Sequence, residues 1–304
     1  MHLVVRDHLP ALLYFADTPQ PMPLAAKVRH AALWRWEFYA EPRWIRVRAY
    51  ARWAVPRYRR PHGLPGTLIL SLTSHRRRFP TLLPALRSLL AQTVRPDRTI
   101  LWIARGDMEE LPDEVRGLQR HGLEIRPAED RGTYTKILPA LDAFPEAYIC
   151  IADDDVYYWP TWLEEMVAGV RTSVPATVCH RAHRILLENE GFAPYGSWPH
   201  QVEATGRSLD FFPTGIGGVL YPPGSLQHTA ADLEAIGGRR FGDDLWLYWI
   251  SRRNGFIPCK VSGKRQFDYI GDSQDAGLWR EKNKGPKDEW ILELGKRYGY
   301  PSVS

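Results

Sequence analysis

Tyr148-Ile149-Cys150-Ile151-Ala152-Asp153-Asp154-Asp155-Val156-Tyr157-Tyr158-Trp159 decides how the rest of the chain is read. A short apolar run with β-branched residues reads as a buried strand. It delivers three consecutive carboxylates where the chain leaves the sheet, and an aromatic cluster follows at once. Three adjacent aspartates repel one another, so they are tolerated mainly in water or around a cation. At the carboxyl end of a strand in an open α/β sheet they stand where such folds bind ligands. A solvated acidic turn is the plain alternative, and the surrounding chain has to separate the two.

That chain has 304 residues, enough for one large domain or one domain with an extension. Its apolar share of 44% and charged share of 25% are those of an ordinary soluble globular chain. No run of eighteen apolar residues suggests a membrane-spanning helix. The short apolar piece at 9–16, preceded by Arg6 and Asp7, matches a secretory signal poorly. Cys150, Cys179 and Cys259 are widely spaced and odd in number, which points away from a disulfide framework or zinc site. A cytoplasmic location suits them.

The net charge of +5 is uneven. Residues 1–60 carry +7, and the rest of the chain comes to −2. Residues 1–23 are dotted with prolines and lack a regular pattern. From Leu24 the spacing of Val28, Ala31, Trp34 and Phe38 predicts an amphipathic helix, broken at Pro42. Residues 1–60 therefore read as a basic, aromatic-rich, partly helical arm, and 61–304 as the main domain. Residues 24–60 are either packed on that domain with solvated arginines or laid on an anionic membrane surface. Nucleic acid is not expected as a partner. Arg59-Arg60-Pro61-His62-Gly63-Leu64-Pro65-Gly66 is the clearest linker signal.

Beyond it, strand patterns at 67–73, 99–104 and 123–126 alternate with helical patterns at 81–90 and 136–144. A polar helix-like stretch lies at 113–120. The series leads into the strand that ends at the three aspartates. Such alternation predicts right-handed crossovers and a parallel sheet. There is no Gly-x-Gly-x-x-Gly after the first strand and no Gly-Lys-Ser/Thr, so neither dinucleotide nor P-loop chemistry is indicated. The second half offers a helix at 162–171, a strand at 177–180 and a glycine-rich stretch around Gly215, Gly217 and Gly218. Gly242-Asp243-Asp244 then opens a helix that Gly255 stops.

The order of these features resembles the GT-A fold glycosyltransferases, in particular those similar to glycosyltransferase family 2, over residues 66–260. The features are the first strand with Thr73-Ser74, the Gln92-Thr93-Val94-Arg95-Pro96-Asp97 turn and Asp153-Asp154-Asp155 as an Asp-x-Asp motif. Gly217-Gly218 and Gly242-Asp243-Asp244 complete them. The resemblance implies an α/β, Rossmann-like fold with a mixed, mostly parallel sheet flanked by helices. A nucleotide-sugar half (66–156) would precede an acceptor half (157–304). It also implies a Mn2+ or Mg2+ ion and a UDP-sugar or other nucleotide-diphosphate sugar as donor. Asp155 would ligate the metal, Asp153 would contact the nucleoside and share in the metal, and Asp154 would support them. Thr73, Ser74, Arg76, Lys136, Gly217 and Gly218 would line the donor side. Helix capping is the plain alternative for Thr73 and Ser74, and a solvated helix-start lysine for Lys136.

An acceptor hydroxyl needs a general base within hydrogen-bond reach. By the same resemblance Asp244 is the base and Asp243 orients the acceptor, which makes the transfer inverting. Acids at a helix N-terminus are favoured in any case. His180 and His183 read better as surface or acceptor-site groups than as a metal pair. No histidine follows His228, so Asp268 or Asp272 would have to complete a metal shell. Trp159, Trp246 and Trp249 suit either sugar stacking or the core. The activity expected is transfer to a carbohydrate or lipid-linked acceptor, in polysaccharide or glycolipid synthesis at the inner face of a membrane. The rivals are a nucleotidyltransferase on the same type of sheet and a non-catalytic domain with a binding arm.

Overall fold

The computed structural model describes residues 41–55, 58–170, 174–189, 191–237, 242–271 and 287–303. Apart from Glu41, all fall in the compact unit Pro42–Ser304. The helix expected from Leu24 and the candidate ligand Asp272 lie outside the described residues.

The apolar run before the aspartates is a strand, Tyr148–Ile151, the fourth of eight in one sheet. In chain order the strands are β1 (Leu68–Ser74), β2 (Arg98–Ala104), β3 (Leu123–Ala128), β4 (Tyr148–Ile151), β5 (Ala176–Cys179), β6 (Gly206–Arg207), β7 (Val219–Tyr221) and β8 (Ile257–Lys260). Across the sheet they run β3-β2-β1-β4-β7-β5-β8-β6. The first four are mutually parallel, with Ile69 beside Ile149 and Leu72 beside Leu101. β7 is antiparallel to both its neighbours, β8 runs parallel to β5, and β6 closes the edge antiparallel. The mixed, mostly parallel sheet flanked by helices that the resemblance implies is what the chain forms.

Both faces of the central strands are covered, so they read as continuous apolar runs. Leu68, Leu70 and Leu72 point into one core, shared with α2 (Phe79–Leu90) and α4 (Trp162–Val170). Ile69, Ile149 and Ile151 point into the other, shared with α3 (Leu138–Ala143), α5 (Asp243–Arg253) and α6 (Lys287–Tyr298). The ligand end of the sheet is thereby fixed from both sides.

Among the described residues the first helix is α1 (Glu41–Ala54). Pro42 sits in its first turn, where the missing N–H is no loss. Ile45 and Ala49 are buried against the body, and Arg46 makes a bidentate pair with Asp268 at 2.7 and 2.8 Å. The stretch after it is held in place as well. Arg60–Pro61 pairs with Val94–Arg95, and His62 meets Asp97 at 2.9 Å. Gln92 ties this region to the segment behind the aspartates. Its amide donates to the Ser88 and Trp159 carbonyls and accepts from Leu163 N–H.

Candidate active site

At the end of β4 the chain is clamped atom by atom. Ala152 N–H donates to the Ser71 carbonyl, and Asp153 N–H donates to the hydroxyl of fully buried Tyr158 at 2.7 Å. The Asp155 carbonyl accepts from Ile270 N–H. The aromatic residues after the aspartates thus build the loop from inside: Tyr158 as a clasp, and Trp159 packed against His180. Asp154 and Asp155 are buried, and Asp153 is a little more open.

Each of these carboxylates has a cation in place. Arg78, at the N-cap of α2, pairs through Nη1 with Asp154 Oδ1 and lies 2.9 Å from Asp155 Oδ2. Ser74 donates to the second Asp154 oxygen at 2.5 Å. Lys136 Nζ lies 3.0 Å from Asp153 Oδ1 and 3.1 Å from Asp243 Oδ2. One buried ammonium therefore joins the triplet of the first half to the acid pair of the second. Its place is set by β1, because Ser71 donates to the Lys136 carbonyl at 2.5 Å and accepts from Trp102 Nε1. Burial works against the Lys136 charge, but Asp153, Asp243 and Asp244 outweigh it and hold its pKa well above the ordinary value.

Asp243 and Asp244 open α5 as the sequence suggests, in unlike settings. Asp243 is buried against Lys136. Asp244 keeps partial contact with solvent, and its Oδ1 accepts from Gly215 N–H at 2.8 Å. Dense surroundings raise the Asp244 pKa to about 7, with the Asp243 charge adding and Lys136 opposing. Gly215 keeps this point open for the two charged groups. A Cβ there would stand 3.0 Å from Asp244 Oδ1 and 3.2 Å from Lys136 Nζ.

The remaining sequence candidates divide. Ser74 and Lys136 belong to the cluster. Thr73 donates to the Trp102 carbonyl across the sheet. Arg76 is exposed and pairs with Asp107 and Glu110, away from the triplet. Gly217 and Gly218 adopt φ of 88° and 81°, and a Cβ on them would strike Phe267 and Trp162 respectively. Their glycines answer to internal packing, while Gly215 is the one that faces the charged groups.

The surface placement of the two histidines fails. His180 is no surface group: its ring is buried between the Trp162 carbonyl and Ser262, which lowers its pKa to about 3. His183 is likewise buried, stacked on His200. Asp268 gives both carboxylate oxygens to Arg46. Trp159, Trp246 and Trp249 are core, as aromatics at helical spacing more often are.

Sequence reading picked out neither Arg78 nor Arg181 for the site. Arg181 is half-buried in dense surroundings that lower its pKa; it donates to Thr214 Oγ1 at 2.8 Å and interacts with Asp244 and Asp153. Lys287, at the start of α6, faces Asp244 and Asp243 and lies 4.0 Å from the Tyr195 ring.

Among the described residues no group of three or more histidine, cysteine or acidic side chains is set to hold a metal. Asp153 and Asp155 are hard oxygen donors, and they suit Mg2+ or Mn2+ only with phosphate oxygens and water completing the shell. Two hollows of about 640 and 620 Å3 lie elsewhere, one lined by Arg52, Arg59 and Arg87, the other by Glu129, Tyr134 and Leu233. Neither contains any of the five aspartates, and the site follows the charged groups.

No family model matches the chain, and no curated protein does. Among solved structures the chain is similar to a mannosyltransferase, PcManGT from Pyrobaculum calidifontis, in complex with GDP-Man and Mn2+. The identity is 14% and the TM-score 0.42, with 77% of this chain and 66% of that one covered. It is also similar to S. aureus TarS 1–349, at 12% identity and a TM-score of 0.44, covering 66% of this chain and 59% of that one. The chain thus spans less than two thirds of either. Likeness this distant says nothing about chemistry, which lives in the site.

Proposed function

We propose that the chain is a glycosyltransferase that moves a sugar from a nucleotide-diphosphate sugar to an acceptor hydroxyl with inversion. The observation that carries this reading is the Lys136 bridge, which brings Asp153 and Asp243 within 3.1 Å of one ammonium. A donor-type acidic triplet and a base-type acidic pair thereby share one site at the ligand end of the sheet.

Asp244 takes the proton of the attacking hydroxyl. It is the acid of the pair that meets solvent, and a pKa of about 7 matches a base working near neutrality. Asp243, held by Lys136, orients the acceptor. Asp153 holds the nucleoside, with Ser74 and Asp154 fixing the loop behind it. A divalent ion on Asp155 and Asp153 would neutralise the departing diphosphate. Arg181 and Lys287 add positive potential around Asp244.

The nucleotidyltransferase alternative gains no support, because Arg76 and Arg78 are engaged with carboxylates rather than presented on a glycine-rich loop. The outward face of α1 supports peripheral contact with an anionic membrane and a lipid-linked or polysaccharide acceptor.

A thermal-shift panel of nucleotide sugars with and without Mn2+ tests the reading. At least one nucleoside diphosphate sugar should raise the melting temperature, and more so with Mn2+. If none stabilises the chain under either condition, the proposal fails.

A further inference from the structure

Arg78 sits where the resemblance puts a metal. Its side chain is only 11% exposed, and it reaches both Asp154 and Asp155 through Nη1. Its Nε is buried with no acceptor among the described residues. Burial opposes the charge, yet Asp154 and Asp155 outweigh it and raise the guanidinium pKa. Ser74 secures the far oxygen of Asp154, and Lys136 serves Asp153. The triplet is therefore compensated by protein cations before any ligand arrives.

We propose that Arg78 is the resident counter-ion of the triplet, which a divalent cation has to displace from Asp155 and which then serves the donor's diphosphate. Both halves rest on the glycosyltransferase reading, which puts the divalent ion on Asp155; the metal half is measured without nucleotide or turnover. Two cations competing for one carboxylate repel each other at short range, and repulsion in a partly buried site is screened far less than in water. A divalent ion alone is thus held weakly. A diphosphate changes the balance. It brings negative charge for the metal and planar acceptors that suit a guanidinium fork, a match that lysine cannot reproduce. Metal and diphosphate then strengthen each other's binding reciprocally, with Arg78 as the coupling element.

The test measures Mn2+ binding to the full chain without nucleotide, by titration calorimetry or loss of the free-ion resonance signal. Arg78→Gln should bind Mn2+ about tenfold more tightly than the unaltered chain, with Arg78→Lys between them. Adding UDP or GDP should tighten Mn2+ binding strongly in the unaltered chain and much less in Arg78→Gln. A merely structural arginine predicts the opposite pattern, with metal affinity unchanged or weaker in a less stable protein, and that result overturns the proposal. Should Arg78→Gln be too unstable for titration, its melting temperature should rise more with Mn2+ than that of the unaltered chain. An equal or smaller rise also rejects the idea. No turnover is needed, so a chain that moves no sugar leaves this experiment fully informative.

Discussion

Asp243 and Asp244 are neighbouring acids in unlike settings. Asp243 is tied to Lys136, whereas Asp244 is left with one backbone donor and a pKa raised from 3.8 to about 7. The raised value means the folded protein holds this proton more tightly than the unfolded chain does. The group is therefore neutral in its effect on stability below about pH 4. It becomes a growing penalty as pH rises towards 7 and a constant one above. Asp244→Asn should thus raise the melting temperature at about pH 8 and change it little at about pH 4. It should also cut turnover by about a hundred- to ten-thousand-fold, the usual weight of a general base. In the unaltered chain kcat/KM should climb with pH, half-maximal near 7, to a plateau about one unit higher. Stability that falls in Asp244→Asn at pH 8, or a substantial residual rate, rejects the assignment. The acid pair and Lys136 were legible because strand ends and helix starts announce where side chains gather. Arg78 was not, because which of three consecutive arginines turns inward depends on the phase of the helix they open, and nothing in Arg76-Arg77-Arg78 displays that phase.

Among the elements, β1, β2, β4 and α2 were readable because each carries an apolar run or a helical apolar spacing. The edge was not. β6 has two residues, and β8, Ile257–Lys260, contains a proline and a buried lysine, so neither offers a period to detect. The pairing of Asp268 was hidden for a related reason, since its partner is 222 residues away on α1. That segment links helix and triplet: Asp268 binds Arg46, its carbonyl accepts from Tyr157 N–H, and Ile270 N–H donates to the Asp155 carbonyl. Asp268→Asn should therefore loosen α1 without touching the metal. Arg46 is 44% exposed, so solvent screens the pair and its loss should cost only about 1 kcal/mol. The melting temperature should fall by about 2–4 °C, and Mn2+ affinity measured with UDP or GDP present should stay within about twofold, well under 1 kcal/mol. A large loss of metal affinity with an unchanged melting temperature would restore Asp268 to the metal shell.

Over the whole molecule the charge is divided as the sequence suggested, and α1 gives that division a surface. Its inner side is committed to the body through Ile45, Ala49, Arg46 and Arg52. Its outer side presents Trp44 and Val47, each 53% exposed, with Val55 and Tyr58 beyond. Arg43 and Arg48 are exposed on the same side, and residues 42–60 contain seven arginines and no acid. Apolar groups set among arginines match the boundary of an anionic bilayer, where aromatic and aliphatic side chains enter the headgroup layer and guanidinium groups meet phosphates. A second copy of the chain carries the same positive sign and is a poor partner for this face. The full chain should sediment with vesicles of phosphatidylglycerol and phosphatidylcholine at low salt and not with phosphatidylcholine alone. Trp44→Glu with Val47→Glu should release it while leaving the melting temperature nearly unchanged, because both side chains already stand in water. Raising the salt to about 0.5 M should weaken binding of the unaltered chain, since the arginine contribution is screened over a few ångströms at that strength. Equal binding to neutral and anionic vesicles, or undiminished binding of the double variant, would exclude α1 as the membrane-facing element.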